Sequence, residues 1–204
     1  MATITITTCV GSPVKGWNWS VEYNSEQTPQ YTKWDPCVGV FPVGDEGAGT
    51  AGSQDIRRAA VSFNLADLPA DSNVAKVELE YNILTAGGAN GKWDFRSYGL
   101  NAQDYPCDDG AQDCFNKCYG NRGYVTGSTN PRTTGPHTET LGDGESAQAC
   151  TDLEACKAAG KKFNLGFCQN PEDEPDAIFW HTAVKIKITY TPPPEKGGPL
   201  AQIM

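Results

Sequence analysis

Alternating apolar and polar residues organise most of this chain. Ile4 and Ile6 alternate with threonines over residues 3–9, the pattern of a half-buried strand. From Gly16 to Tyr23, Trp17, Trp19, Val21 and Tyr23 fall on one face, with Asn18, Ser20 and Glu22 opposite. Ala59, Val61, Phe63 and Leu65 repeat the pattern, and so do Ala75, Val77, Leu79, Tyr81 and Ile83, with Lys76, Glu78, Glu80 and Asn82 on the other side. Trp93, Phe95 and Ser97 continue it after a glycine-rich turn. The last segment sets Val184, Ile186, Ile188 and Tyr190 against Lys185, Lys187 and Thr189, and the prolines from Pro192 end it. Period-two segments with one polar face predict antiparallel strands laid over a shared core.

The remaining stretches carry weaker signals. Residues 24–55 show little periodicity beyond a short apolar piece at Val38–Val43, followed by a glycine-rich loop. One helix is expected at 151–160, with Thr151 as its cap, Glu154 completing a capping box and Gly160 at its exit. The expected fold is therefore all-β: an antiparallel jelly-roll-like β-sandwich with a cysteine-rich loop insertion and one short helix. Residues 1–191 read as one domain, with the insertion at about 101–170, and residues 192–204 read as a C-terminal tail.

The segment Ile56–Ile83 resembles the DNRLRE-type β-sandwich family, a jelly-roll module grouped with carbohydrate-binding domains. The residues that carry the likeness run from Arg58 to Tyr81: an apolar strand ending Phe63-Asn64-Leu65, a Leu68-Pro69 turn, and a strand introduced by Asn73-Val74. The closing strand Val184–Tyr190 is also similar to the family's last strand. The resemblance implies a jelly-roll fold and a place on cell surfaces, in polysaccharide-related proteins or in phage particles. A fold of this kind hosts many functions.

Eight cysteines change the picture most: Cys9, Cys37, Cys107, Cys114, Cys118, Cys150, Cys156 and Cys168. An even number scattered through glycine-rich loops reads first as disulfides formed in an oxidising compartment. Local closures within 107–118 and 150–168, with Cys9 to Cys37 beside them, are the pairings favoured here, although spacing alone does not fix connectivity. A thiolate metal site is the competing reading, but no paired C-x-x-C motifs accompany the cysteines.

The formal charge of −9, without clustered lysines or arginines, argues against nucleic-acid binding. No apolar run is long enough to span a membrane. No signal peptide is visible after Met1: either the N-terminus is trimmed, or the protein reaches an oxidising environment without a signal, a route that a virus or phage particle offers.

Candidate chemistry is sparse. His137 sits in a loop-like context and His181 beside a strand, and no nucleophile or metalloprotease motif accompanies them. The expectation is a protein that is not an enzyme. Asp108, Asp109 and Asp113 offer oxygen ligands suited to calcium, against the simpler reading of a solvated acidic turn. No other cofactor is expected. Trp34, Tyr105, Tyr119 and Tyr124 could cover the apolar faces of sugar rings, or plug small satellite cores instead. The leading functional expectation is a structural protein of an extracellular assembly, a phage or virus particle component such as a capsid decoration (cement) or tail-associated protein. Its partners would be copies of itself or capsid and tail subunits. The alternative is a carbohydrate-binding or adhesive module of a secreted or cell-surface protein.

Overall fold

The computed structural model describes residues 1–7, 16–23, 29–34, 40–45, 54–86, 94–99, 112, 115–116, 118, 122–128, 134–170 and 177–193. The elements whose bounds are described are antiparallel strands and one helix. The strands are β1 (Ala2–Thr7), β2 (Gly16–Tyr23), β3 (Pro29–Trp34), β4 (Val40–Asp45), β5 (Gln54–Phe63), β6 (Asn73–Ala86), β7 (Asp94–Gly99), β8 (Arg122–Ser128), β9 (Gly135–Asp143), β10 (Phe163–Asn170) and β11 (Ala177–Thr191); the helix, α1 (Gln148–Ala158), precedes β10.

Two wings of sheet meet at β4. One wing runs β8-β7-β10-β5, with β2 and β3 added beyond β5; the other runs β11-β6-β9, with β1 added on β11. Short β4 pairs with β11 through Val40–Asp45 and with β5 at Gly44 and Asp45, which joins the wings. Both wings commit their apolar faces to one cluster. It holds Ala59, Val61 and Phe63 of β5 with Phe163, Leu165 and Phe167 of β10. From the other wing come Val77, Leu79, Tyr81 and Ile83 of β6, Val184, Ile186 and Ile188 of β11, and Ile6 of β1. Leu65 and Leu68 of the β5–β6 turn close one end.

Phe63, Phe163, Leu68, Leu79, Ile83, Leu153 and Leu165 are the largest fully buried side chains. Each contributes about 1.5–3 kcal/mol by leaving water, so several together outweigh the roughly 2–4 kcal/mol of a single disulfide. Hydrophobic burial is the main source of cohesion in the described part.

Helix α1 lies against this core through Ala149, Cys150, Leu153 and Cys156, a stripe at helical spacing. It begins three residues before the expected start, with extended Ala147 as its N-cap and no side-chain cap. The expected capping box is corrected. The Glu154 carboxylate instead accepts the Val74 amide at 2.6 Å, tying the helix to the start of β6, and the Thr151 hydroxyl donates to the Gln148 carbonyl at 3.0 Å. The exit does fall at Gly160, whose φ of +64° is the left-handed geometry glycine permits. The amides of Gly160 and Lys161 bond the carbonyls of Lys157 and Cys156, closing the last turn as a Schellman motif.

The stretch 101–170, expected as an insertion, supplies strands and a helix where it is described. Within that stretch, β10 lies between β5 and β7, β9 pairs along β6, and α1 supplies part of the core. The reason is that Phe163, Leu165 and Phe167 alternate toward the core while Asn164 and Gly166 occupy a second buried face. Among the described residues, no helix is long and apolar enough to cross a membrane.

Candidate interaction surface

Strand β1 follows from its composition: β-branched residues at five of six positions, isoleucines inward and threonines outward. It pairs with β11 along its whole length, from Ala2 opposite Tyr190 to Thr7 opposite Lys185. Ile6 is buried, Ile4 is half-buried against the core, and Thr3 and Thr5 are exposed. Met1, just before it, is 89% exposed. Among the described residues, β11 is the only strand that pairs with β1. Among the described residues, no strand covers the second edge of β1, which there presents a row of backbone donors and acceptors.

The other strands paired on one side are guarded. β3 opens with Pro29 and carries Lys33. β8 opens with Arg122, contains two glycines and shifts register twice against β7. β9 carries Pro136 and meets a bulge at Val77/Glu78. Proline, charge and bulges are the usual devices that stop strand edges from recruiting partners. β1 has no charge, no proline and an unbroken register.

Outward side chains beside β1 form cross-strand rows: Thr5 with Lys187 and Glu78, and Thr3 with Thr189 and Lys76. Glu78 holds both lysines, Lys76 at 2.8 Å and Lys187 at 3.3 Å. The hydrogen bond from Lys76, followed by that from Lys187, holds the Glu78 carboxyl below its ordinary range despite some desolvation. The same bond raises the Lys76 ammonium. Glu78 thus offsets one of the two positive charges flanking β1 and leaves one net positive charge among the three groups.

A second feature lies on the opposite wing. Arg58, Ala60 and Ser62 of β5 face away from the core, as do Asn164 and Gly166 of β10. This face is not open to water. Phe115 and Cys118 are buried on it, and the Arg58 guanidinium sits 4.0 Å from the Phe115 ring centre while donating to the Phe115 carbonyl at 2.9 Å. Buried Ser62 and Asn164 satisfy one another, the hydroxyl donating to the amide oxygen at 2.5 Å. Phe115 and Cys118 thus cover part of the β5–β10 pair.

Tyr105, Tyr119, Asp108, Asp109, Asp113, Cys9, Cys37, Cys107 and Cys114 lie outside the described residues. Trp34 is the last residue of β3, opposite Asn18. Cys168 stands in β10 opposite Arg96. Tyr124 bridges sheet and helix: its ring stacks on Phe163 at 6.1 Å, and its hydroxyl donates to Asp152 at 2.7 Å. Asp152, only 5% exposed, also accepts the Gln148 amide at 2.8 Å. Such a ring acts as a brace between β8, β10 and α1.

Cys150 and Cys156 stand on α1 as buried free thiols among the described residues. Six helical residues separate them by about 9 Å along the axis, beyond the reach of a bridge to one another. Burial pushes both thiols up to about 11.

Sequence reasoning missed one polar cluster. His137, expected in a loop, lies in β9 and stacks on Tyr81 with ring centres 5.5 Å apart. The Tyr81 hydroxyl donates to Glu139 at 3.3 Å, and burial raises its pKa. The signal was the alternation of His137, Glu139 and Leu141, hidden by its polar members. The cluster fastens β9 to β6. Among the described residues, no group of three or more His, Cys, Asp or Glu is arranged to hold a metal ion.

Compared with known proteins, the chain matches no family model and no curated protein.

Proposed function

We propose that this chain is a non-enzymatic structural protein of an extracellular assembly, specifically a component of a phage or virus particle such as a capsid decoration or tail-associated protein. It would do so on a jelly-roll-like β-sandwich of the kind that Ile56–Ile83 resembles. The observation that carries this reading is the contrast among strand edges: β3, β8 and β9 bear proline, charge or irregular register, whereas β1 bears none. An unguarded edge costs a lone protein solubility, and it is useful where neighbouring subunits are to be joined. The negative overall charge keeps copies apart in dilute solution, leaving association to high local concentration.

The test is quantitative mass spectrometry on density-purified particles from a culture carrying the gene. Recovery of the chain in fixed proportion to the major shell protein is the expected result. Recovery only in the particle-free fraction would overturn the proposal.

A further inference from the structure

We infer that β1 pairs with β1 of a second copy of this chain, antiparallel and about a two-fold axis at Ile4. The inference rests on the assembly reading above and names the contact it would use.

Register follows from alternation. Residues directly opposite across an antiparallel pair share a face, so only pairings that match even with even and odd with odd keep isoleucines inward. Centring on Ile4 or on Thr5 satisfies this over five strand residues each, and centring on Ile4 also brings Met1 opposite Thr7. Ala2 then meets Ile6 of the other copy, Thr3 meets Thr5, and Ile4 meets Ile4. A two-fold interface requires a self-complementary surface, and the sequence Ala-Thr-Ile-Thr-Ile supplies one. Half-buried Ile4 gains a cover, and the outward threonines form cross-strand pairs of a favourable kind.

Charge is compatible with the same arrangement. The outer row through the contact reads Glu78, Lys187, Thr5, then Thr3, Thr189 and Lys76 of the second copy. No charge lies directly opposite its own kind across the new seam, and Lys187 and Lys76 are already paired with Glu78. A second copy therefore fits better than a charged heterologous strand, which would place its charge among neutral threonines. Because each chain carries −9 overall, added salt screens the long-range repulsion and should strengthen the pairing.

The experiment is sedimentation equilibrium of the full chain from about 10 μM to about 1 mM, with hydrogen exchange on the same samples. The expected result is reversible dimerisation, with those β1 amides not bonded to β11 becoming protected as dimer forms. Thr3→Lys, which places a charge on the seam beside neutral Thr189, should weaken association by about tenfold or more. Thr3→Val, which keeps strand propensity, should leave it within about threefold. Hydrogen exchange of β11 reports whether each variant keeps β1 docked. A wild-type chain that stays monomeric throughout, or a dimer whose β1 amides exchange as in monomer, overturns the inference. Pairing in solution by a chain missing from particles contradicts the assembly reading alone. Particle-bound copies with unprotected β1 amides contradict the pairing alone.

Discussion

Gly166 lies directly under the backbone of Cys118: a side-chain carbon at Gly166 would fall on the Cys118 carbonyl oxygen. The cover over β5 and β10 can seat only because β10 has no side chain at that point. Gly166→Ala should therefore lift the 115–118 segment from the sheet, and overpacking of this kind costs about 1–3 kcal/mol. Denaturant midpoints should fall accordingly, with β10 otherwise intact by hydrogen exchange. Unchanged stability would show that the cover does not rest on Gly166.

The brace between β8 and α1 gives a graded pair of variants. Tyr124→Phe removes one donor from Asp152 and should cost about 0.5–1.5 kcal/mol. Asp152→Ala removes one acceptor from both the Tyr124 hydroxyl and the Gln148 amide and should cost more, about 1–3 kcal/mol. Equilibrium unfolding of the two variants in one buffer checks the order.

The fold's legibility in sequence tracks how many faces each strand buries. β2, β6 and the end of β11 were readable because alternation there is regular; for β6, Val77, Leu79 and Tyr81 face the core while Lys76, Glu78 and Glu80 face outward. β10 was not, since its second face is also buried, and that face requires Asn164 for Ser62 and Gly166 for Cys118, residues that look like loop. β9 was hidden because an edge strand can spend inward positions on His137 and Glu139 once Tyr81 is there to meet them. For the interaction surface, the alternation of β1 was plain, but its significance was not. Only the pairing among the described strands distinguishes an unguarded edge from an interior strand. Helix α1 starts early because Glu154, which local spacing assigns to a cap, is claimed by the Val74 amide eighty residues away.

Cys150 and Cys156 should resist alkylation in the native chain at neutral pH. Both are buried, and thiols pushed up to about 11 carry almost no thiolate there. The raised values set the sign of a stability effect. Unfolded thiols ionise as pH passes their ordinary value of 9, while the folded ones stay protonated, so stability present below that value is lost progressively between about pH 9 and pH 11. Iodoacetamide labelling with peptide mapping, before and after denaturation, should show modification at these positions only in the denatured sample. Their recovery as disulfides from native material would contradict the buried-thiol assignment.

Glu78 predicts the acid side. Its carboxyl is held below the ordinary value of 4.5, so its contribution is present above that value and lost as pH falls through the lowered folded value. Glu78→Gln should lower stability at neutral pH by about 0.5–1 kcal/mol, the modest effect of a partly exposed ion pair. The difference from wild type should shrink at acid pH and in high salt. A constant difference from neutral to acid pH would assign the effect to packing.

Hydrogen exchange of the chain while bound in a purified particle, compared with the same chain as a dilute monomer, bears most directly on assembly through β1. The expected result is slowed exchange at the outward-edge amides of Ala2–Thr7 in the particle, with β11 equally protected in both samples. Equal exchange along β1 in particle and monomer would contradict it.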